Sequence, residues 1–356
     1  MPPRRIIDSH IHLWPHSAAS PSGHSWMEPG ALLTRQFSIG DYIAANKHDP
    51  ALEGFVYVET DRKLNPFRSE DQNFEWASET FEEVKWLKRI VEGTPLEGEG
   101  FTKEQGDLMK GAVIWAPVDH GLDVFKRYIQ MARDVAGDKT WKRVKGIRFL
   151  LQGIHDETKF KQLVLSAGFA DVLRYLPQTE ERLSFDVGVD ATRAGVWQLE
   201  VATDAIESLR AAGESGKNTV FILSEFCEKP FRNTSLTESD HMWASCIERL
   251  SKDPNVYMKL SGGFSEMQKQ EASNPWPSSK VADTMRPWLD RLFKCFSPDK
   301  VMFGSDWPVC NVGGPGIEHA WSSWKVAVNK ILENYHLTDE QQAQIWHGTA
   351  LEAYRL

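Results

Sequence analysis

The segment RIIDSHIH, residues 5–12, is the first of eight similar runs that decide the fold of this 356-residue chain. The runs are short, and most of them are nearly continuously apolar. They cover residues 5–12, 54–59, 111–118, 145–151, 183–189, 219–226, 255–261 and 300–306. Continuous apolar runs of this length are typical of parallel β-strands that are covered on both faces.

Amphipathic helix patterns lie between the predicted strands. They cover residues 71–91, 122–136, 159–176, 195–212, 239–251, 281–296, 317–334 and 338–354. The last pattern opens with TDEQ, in which Thr338 is a candidate N-cap and Gln341 completes a capping box. Strands that alternate with helices indicate a parallel α/β fold. Because the eight repeats contain no glycine-rich nucleotide-binding motif, we predict a closed (β/α)8 TIM barrel, formed as a single domain by residues 1–356.

Three connections that follow predicted strands are unusually long. They cover residues 13–40, 60–71 and 265–280. In a TIM barrel these connections lie at the carboxyl ends of the strands, where barrel enzymes have their active sites. The predicted barrel therefore carries enlarged loops on its C-terminal face.

Composition narrows the classes of function. The chain has 41 basic and 50 acidic residues, a net charge of −9, which disfavours nucleic acid and anionic membranes as partners. We expect no secretory signal and no membrane span, because no stretch approaches the ~20 apolar residues that cross a bilayer. The four cysteines form no CxxC pair, which favours reduced thiols and a cytoplasmic protein. A small molecule is the expected partner, and an oligomer is compatible with the sequence.

Two histidines stand at the end of the first predicted strand. Side chains alternate along a strand, so Asp8, His10 and His12 share one face, which would point into the barrel mouth. Two imidazoles at this spacing can converge on one metal ion or on one substrate oxygen. The alternative is a hydrogen-bonded pair that caps the barrel. The position at the end of the first of eight strands favours a functional site.

A carboxylate ends the eighth predicted strand, in the sequence FGSDWP. In a closed barrel the eighth strand neighbours the first, so Asp306 can lie beside His10 and His12. A carboxylate in that position can hold a water molecule and take its proton. The alternative is an aspartate that caps a turn before a proline.

Several longer motifs carry a resemblance to a known family. The sequence contains DSHIH at residues 8–12, GIR at 146–148, NVYMKLSG at 255–262, MFGSDWPVC at 302–310 and TALEAYRL at 349–356. In these motifs the chain resembles the amidohydrolase-2 group of the amidohydrolase superfamily. Within that group it is similar to the sugar-lactonase branch, which includes L-rhamnono-gamma-lactonases, L-fuconolactonases and 2-pyrone-4,6-dicarboxylate lactonase. GFVYVETDR, residues 54–62, is most similar to the fungal L-rhamnono-gamma-lactonases.

The resemblance implies a hydrolase that opens a sugar-acid lactone to the free acid. His10 and His12 would bind a metal ion or the lactone carbonyl, and Asp306 would be the general base for the attacking water. Arg148 and Lys259 would hold substrate oxygens. The alternative for each of these two cations is a salt bridge within the barrel.

Other side chains that follow strands are candidates for the substrate site. Glu59 can bind sugar hydroxyls or pair with Arg62, and Glu266 after the seventh strand is a similar case. Most of the 14 tryptophans lie in helix patterns, which favours a place in the core. Trp14, Trp276 and Trp307 follow strands and are the tryptophans that we consider for a pocket wall.

One position departs from the family pattern. Where these lactonases have a histidine after the sixth strand, this chain has Glu225, although a shift of one residue would place Ser224 there. His10, His12, Glu225 and Asp306 would form a ligand set that Zn²⁺ or Mn²⁺ accepts. Without a metal, Glu225 would repel Asp306, so metal-independent catalysis is in doubt but stays open. The departure keeps two further functions open, a metal-dependent decarboxylase and an inactive barrel that binds sugar acids or a protein.

Overall fold

A sheet of eight parallel strands forms the centre of the computed structural model, which describes residues 5–69, 71, 73–224 and 237–356. The strands are β1 (Ile6–Ile11), β2 (Leu52–Val58), β3 (Met109–Trp115), β4 (Val144–Arg148), β5 (Ser184–Val187), β6 (Phe221–Leu223), β7 (Val256–Leu260) and β8 (Val301–Phe303). Each strand pairs in parallel with the next one along the chain. Every strand ends before its predicted carboxyl end, so the last predicted residues of each run belong to the loops.

The sheet returns on itself where β8 meets β1. Ile11 forms a parallel bridge with Trp307, just beyond the end of β8. The backbone N–H of Asp306 donates to the carbonyl of His10 at 2.9 Å, and the N–H of His12 donates to the carbonyl of Trp307 at 2.7 Å. The barrel is therefore nearly closed, and the predicted (β/α)8 fold is confirmed.

Helices occupy the intervals between the strands. They are α1 (Ile39–Ala45), α2 (Ser78–Glu92), α3 (Leu122–Trp141), α4 (Glu157–Val164), α5 (Ala167–Tyr175), α6 (Trp197–Ala211), α7 (Glu214–Lys217), α8 (Glu238–Leu250), α9 (Ser278–Cys295), α10 (Cys310–Gly313), α11 (Ala320–Asn334), α12 (Asp339–Ala343) and α13 (Thr349–Tyr354). None of the helices formed by the described residues combines the length and the apolar character that crossing a bilayer requires.

Two predicted helices are divided in the structure. The prediction over residues 159–176 is wrong in continuity, because Ser166 ends the first helix and caps α5 by accepting the backbone N–H of Phe169 at 3.1 Å. The last prediction is divided into α12 and α13 by a π-helical segment, Gln344–Gly348. Its capping box is confirmed, since the side chains of Thr338 and Gln341 each accept the other's backbone N–H.

The barrel interior is packed at the end opposite the long loops. Inward-facing residues from six strands form a cluster with residues of α13. The cluster contains Ile7, Val56, Val58, Val113, Ile222, Tyr257, Met302, Ala350, Ala353 and Tyr354. Since α13 fills this end of the barrel, an open site is left to the carboxyl ends of the strands, as in other barrels of this kind.

Candidate active site

The two predicted histidines lie together at the carboxyl end of β1. His10 is fully buried and His12 is 6% exposed. Their Nε2 atoms are 3.0 Å apart. The Nδ1 atom of His12 lies 2.9 Å from the carbonyl oxygen of Val58 and 3.0 Å from that of Glu59. Carbonyl oxygens only accept hydrogen bonds, so Nδ1 of His12 carries the proton and Nε2 is the acceptor nitrogen.

Asp306 completes the predicted group from the end of β8. Its backbone has φ of +57°, a left-handed conformation that aspartate tolerates better than most residues. This turn and the hydrogen bond to the carbonyl of His10 direct the carboxylate toward β1. Oδ1 of Asp306 lies 3.6 Å from Nε2 of His12. The structure therefore brings His10, His12 and Asp306 together, as the sequence predicts.

A buried ion pair lies behind His10. The ammonium of Lys259 donates to Oδ2 of Asp186 at 2.7 Å and lies 3.1 Å from Nδ1 of His10. An ammonium has no lone pair, so Nδ1 of His10 is the acceptor and its proton is on Nε2. Burial, then the charge of Lys259, lowers the pKa of His10 well below its usual value. Lys259 therefore donates a hydrogen bond to His10, and His10 donates one to His12.

Arg148 and Glu59 form a second ion pair, which lines the same end of the barrel. Nε of Arg148 donates to Oε1 of Glu59 at 2.5 Å, and Nη2 donates to the carbonyl of Glu59 at 2.9 Å. The alternative in which Glu59 pairs with Arg62 is wrong, because Arg62 faces Glu79 and Glu83 at 3.8 and 3.7 Å. Glu59 is fully buried, and of the pair only Arg148 reaches the cavity.

A cavity of about 1330 Å³ opens above these residues. His12, Arg148 and Asp306 line it, together with loop residues that follow several strands. Of the tryptophans considered, Trp14 and Trp276 line the cavity, whereas Trp307 is fully buried against Phe37 and Tyr42. Lys259 does not reach the cavity either, because it is fully buried with Asp186. Direct contact of Trp307 or Lys259 with a substrate therefore does not fit the structure.

Some cavity residues were not found from the sequence. Trp26 lies in the long loop after β1, and Asp61 lies just after β2. Asp190 and Arg193 line the cavity after β5, where the Arg193 guanidinium donates to Asp190 at 2.5 Å. Their shared sequence signal is their place after a strand, which many other polar residues also have. Glu266 also lines the cavity and accepts a hydrogen bond from Thr192 at 2.8 Å.

Comparison with known proteins shows which family the chain resembles. Residues 187–356 match a family model described as amidohydrolase. The whole chain aligns with an L-rhamnono-gamma-lactonase of Scheffersomyces stipitis at 25% identity, over 99% of both proteins. Over residues 187–356 the chain is similar to the amidohydrolase family. An L-fucono-1,5-lactonase of Burkholderia multivorans is 31% identical to the chain over 117 residues, 32% of the chain and 35% of that enzyme.

Solved structures agree with this fold. An amidohydrolase from Burkholderia multivorans with bound HEPES superposes with a TM-score of 0.68 at 20% identity, over 99% of both chains. A second crystal form of that protein, with bound zinc, has a TM-score of 0.66 at 21% identity and the same coverage. At these identities the similarity establishes the barrel fold of the chain and nothing further.

His10, His12 and Asp306 form a buried candidate metal site. One potential ligand atom from each lies within 4.8 Å of the others, and the atom types suit Zn²⁺ or Mn²⁺. The positions of the protons do not suit a cation, because His10 presents N–H rather than a lone pair to the cluster. Glu225, predicted as a fourth ligand, lies outside the described residues. Among the described residues, the positions of the protons therefore fit a hydrogen-bonded histidine pair better than a metal centre with three ligands.

Proposed function

We propose that this protein is an enzyme of the amidohydrolase family that hydrolyses the lactone of a sugar acid, such as L-rhamnono-gamma-lactone, to the free acid. The proposal rests chiefly on the carboxylate of Asp306, which lies 3.6 Å from His12 at a cavity that also exposes Arg148. A base and a cation that face one cavity are what water attack on an ester carbonyl requires. The full-length similarity to an L-rhamnono-gamma-lactonase supports this class of substrate.

In the proposed reaction, Asp306 accepts a proton from the water molecule that attacks the ring carbonyl. Negative charge then develops on the carbonyl oxygen, and the guanidinium of Arg148 stabilises it. Glu59 holds that guanidinium through two hydrogen bonds, so its position is set before the substrate binds. Collapse of the tetrahedral intermediate breaks the ring C–O bond and yields the open hydroxy acid.

The histidines have a supporting part in this scheme. His12 is fixed by two backbone carbonyls and by His10, and it forms the wall against which Asp306 lies. The Lys259–Asp186 pair fixes the proton of His10 in turn. The chain of hydrogen bonds leaves Asp306 as the group that takes the proton of water. No step of the scheme requires a metal ion.

The test is acid production from L-rhamnono-gamma-lactone in weak buffer, with spontaneous ring opening as the blank. We expect Asp306→Asn to lower the enzymatic rate by about 10²- to 10⁴-fold, the usual contribution of a general base. Asp299→Asn, an exposed aspartate beside β8, is the matched control and should retain the native rate. Rates at the blank for the native chain across a panel of aldonolactones would contradict the proposal. That result would favour the decarboxylase or the inactive binder.

A further inference from the structure

A second carboxyl group, that of Asp61, lines the catalytic cavity and has no part in the scheme above. Asp61 follows β2, His12 follows β1 and Asp306 follows β8, and these three strands are neighbours around the barrel. His12 therefore lies between the two aspartates. Adjacent strands are about 5 Å apart, so β2 and β8 are separated by about 10 Å. Both carboxyl groups line the same cavity, so a lactone bound there can lie between them.

The backbone of Asp61 is held in a defined turn. Its φ is +55°, and its N–H donates to Oε2 of Glu59 at 2.6 Å. The preceding residue, Thr60, is fixed by Glu83, which accepts its backbone N–H at 3.1 Å and its hydroxyl at 2.7 Å. Glu59 is fixed by Arg148, so both residues before Asp61 are anchored to other elements. These contacts hold the left-handed turn and thereby set the direction of the Asp61 side chain.

The side chain of Asp61 is not used by the fold. Among the described residues, no donor reaches its carboxyl group, unlike the carboxyl groups of Glu59 and Glu83, which accept several hydrogen bonds. Burial, the charge of Glu59 and, to a smaller extent, that of Glu83 raise the pKa of Asp61 to about 7, although Arg148 acts in the opposite direction. A carboxyl group in this environment carries a proton over much of the neutral range.

We propose that the carboxyl group of Asp61 is the general acid that protonates the ring oxygen of the lactone as the C–O bond breaks. The inference rests on the proposed function and deepens it. Water gives one proton to Asp306 and its oxygen to the carbonyl carbon. The ring oxygen leaves with the C–O electron pair and receives the proton of Asp61. Transfer of a proton from Asp306 to Asp61, or through solvent, restores the enzyme, and the product is a carboxylate with a free hydroxyl and one released proton.

In this scheme one carboxyl group acts as the base and the other as the acid toward the bound lactone ring. Asp306 has the position of the base, beside His12. An alkoxide is a poor leaving group in water, so a positioned acid contributes most when the leaving oxygen is strongly basic. A phenolate leaves readily without such help. The dependence of the rate on the leaving group therefore separates the acid from the base.

The experiment compares Asp61→Asn with Asp306→Asn on two lactones, L-rhamnono-gamma-lactone, which releases an alkoxide, and dihydrocoumarin, which releases a phenolate. Asparagine also tolerates a left-handed turn, so Asp61→Asn keeps the backbone conformation and replaces the acidic carboxyl group with an amide that cannot act as an acid. We expect Asp61→Asn to lower kcat/KM for the sugar lactone by about 10²- to 10⁴-fold and for dihydrocoumarin by less than about tenfold. Asp306→Asn should lower both. Activity on dihydrocoumarin also reports that the variant is folded.

The pH profile supplies a second readout. With Asp61 as the acid, kcat/KM of the native chain for the sugar lactone should fall as the pH rises through about 7, since the proton is then lost. Asp61→Asn should lack that decline. Equal losses on the two lactones, or no loss on either, would overturn the role of Asp61 while leaving the lactonase intact. If the native chain opens neither lactone, the proposed function itself fails.

Discussion

At the scale of the residue, the decisive feature is which nitrogen of His10 carries the proton. Lys259 is bound to Asp186 and donates to Nδ1 of His10, which leaves the N–H on the side of His12. A metal ligand must present a lone pair, so this arrangement opposes a cation at the histidine pair. The same three side chains with the opposite tautomer would make a metal site.

We therefore expect lactone hydrolysis to persist after divalent cations are removed. The measurement is acid production before and after treatment with a chelator, with elemental analysis to verify that the metal content is below one tenth of the protein concentration. Arg148 and Asp306 carry the charges that the reaction needs, and neither charge depends on a bound metal ion. Activity that is lost on chelation and restored by Zn²⁺ or Mn²⁺ would mean that His10 gives up its Nε2 proton, and the proposed scheme would be wrong.

At the scale of the element, Asp8 connects the first strand of the barrel with the residues that follow the last strand. Its Oδ1 accepts the backbone N–H of Ser305 at 2.8 Å, and its Oδ2 accepts the hydroxyl of Tyr42 at 2.8 Å and Nε1 of Trp321 at 2.9 Å. β1 is thereby attached to the residues after β8 and to α1 and α11. The prediction that Asp8 shares the inward face with the histidines is wrong, because Asp8 faces the helices around the barrel and the strand pairing is irregular between Asp8 and Ile11.

We expect Asp8→Asn to lower the free energy of unfolding by about 1.5–3 kcal/mol, the usual value of hydrogen bonds to a charged group. The amide nitrogen would face donors on one side, whereas the carboxylate accepts on both. Urea unfolding measures the change, and Asp299→Asn, on the surface, should change the free energy by less than about 0.5 kcal/mol. An unchanged urea midpoint for Asp8→Asn would show that Asp8 does not stabilise the contact between β1 and the residues after β8.

Part of the site on these elements can be predicted from the sequence alone. Alternation along DSHIH places His10 and His12 on one side of β1, and closure of the barrel places Asp306 next to them. Both predictions depend only on the periodicity of strands and on their number. The pairs Lys259–Asp186 and Arg148–Glu59 depend on the register between neighbouring strands, which a single sequence does not express.

Loops were harder to predict for a related reason. Trp14, Trp276 and Trp307 all follow strands, but only the fold of each loop decides that Trp307 turns into the core and the other two face the cavity. The sequence does not single out Asp61, because its proposed role depends on a left-handed turn and on the neighbouring acids. Ser166 divides a predicted helix because its hydroxyl competes for a backbone N–H, and the apolar pattern continues across it.

At the scale of the whole molecule, the cavity is larger than the chemistry needs. Small-molecule sites usually enclose about 300–1,000 Å³, and this cavity measures about 1330 Å³. Asp306, His12 and Arg148 lie at the strand ends, and the loops add aromatic walls from Trp14, Trp26 and Trp276. The barrel thus separates the reacting groups, which stand on strands, from the binding surface, which stands on loops.

This separation predicts that the aromatic walls affect substrate binding and leave the chemical step unchanged. Trp276 lies in the long connection after β7, with Lys280 at 3.7 Å from its ring centre. Trp276→Ala removes an apolar surface that contacts substrate and transition state equally, so KM should rise by about 2- to 12-fold while kcat stays the same. Trp276→Phe keeps an aromatic ring and should restore a KM close to the native value. A fall in kcat with an unchanged KM would instead mean that this loop positions the reacting groups, and the division between strands and loops would not hold.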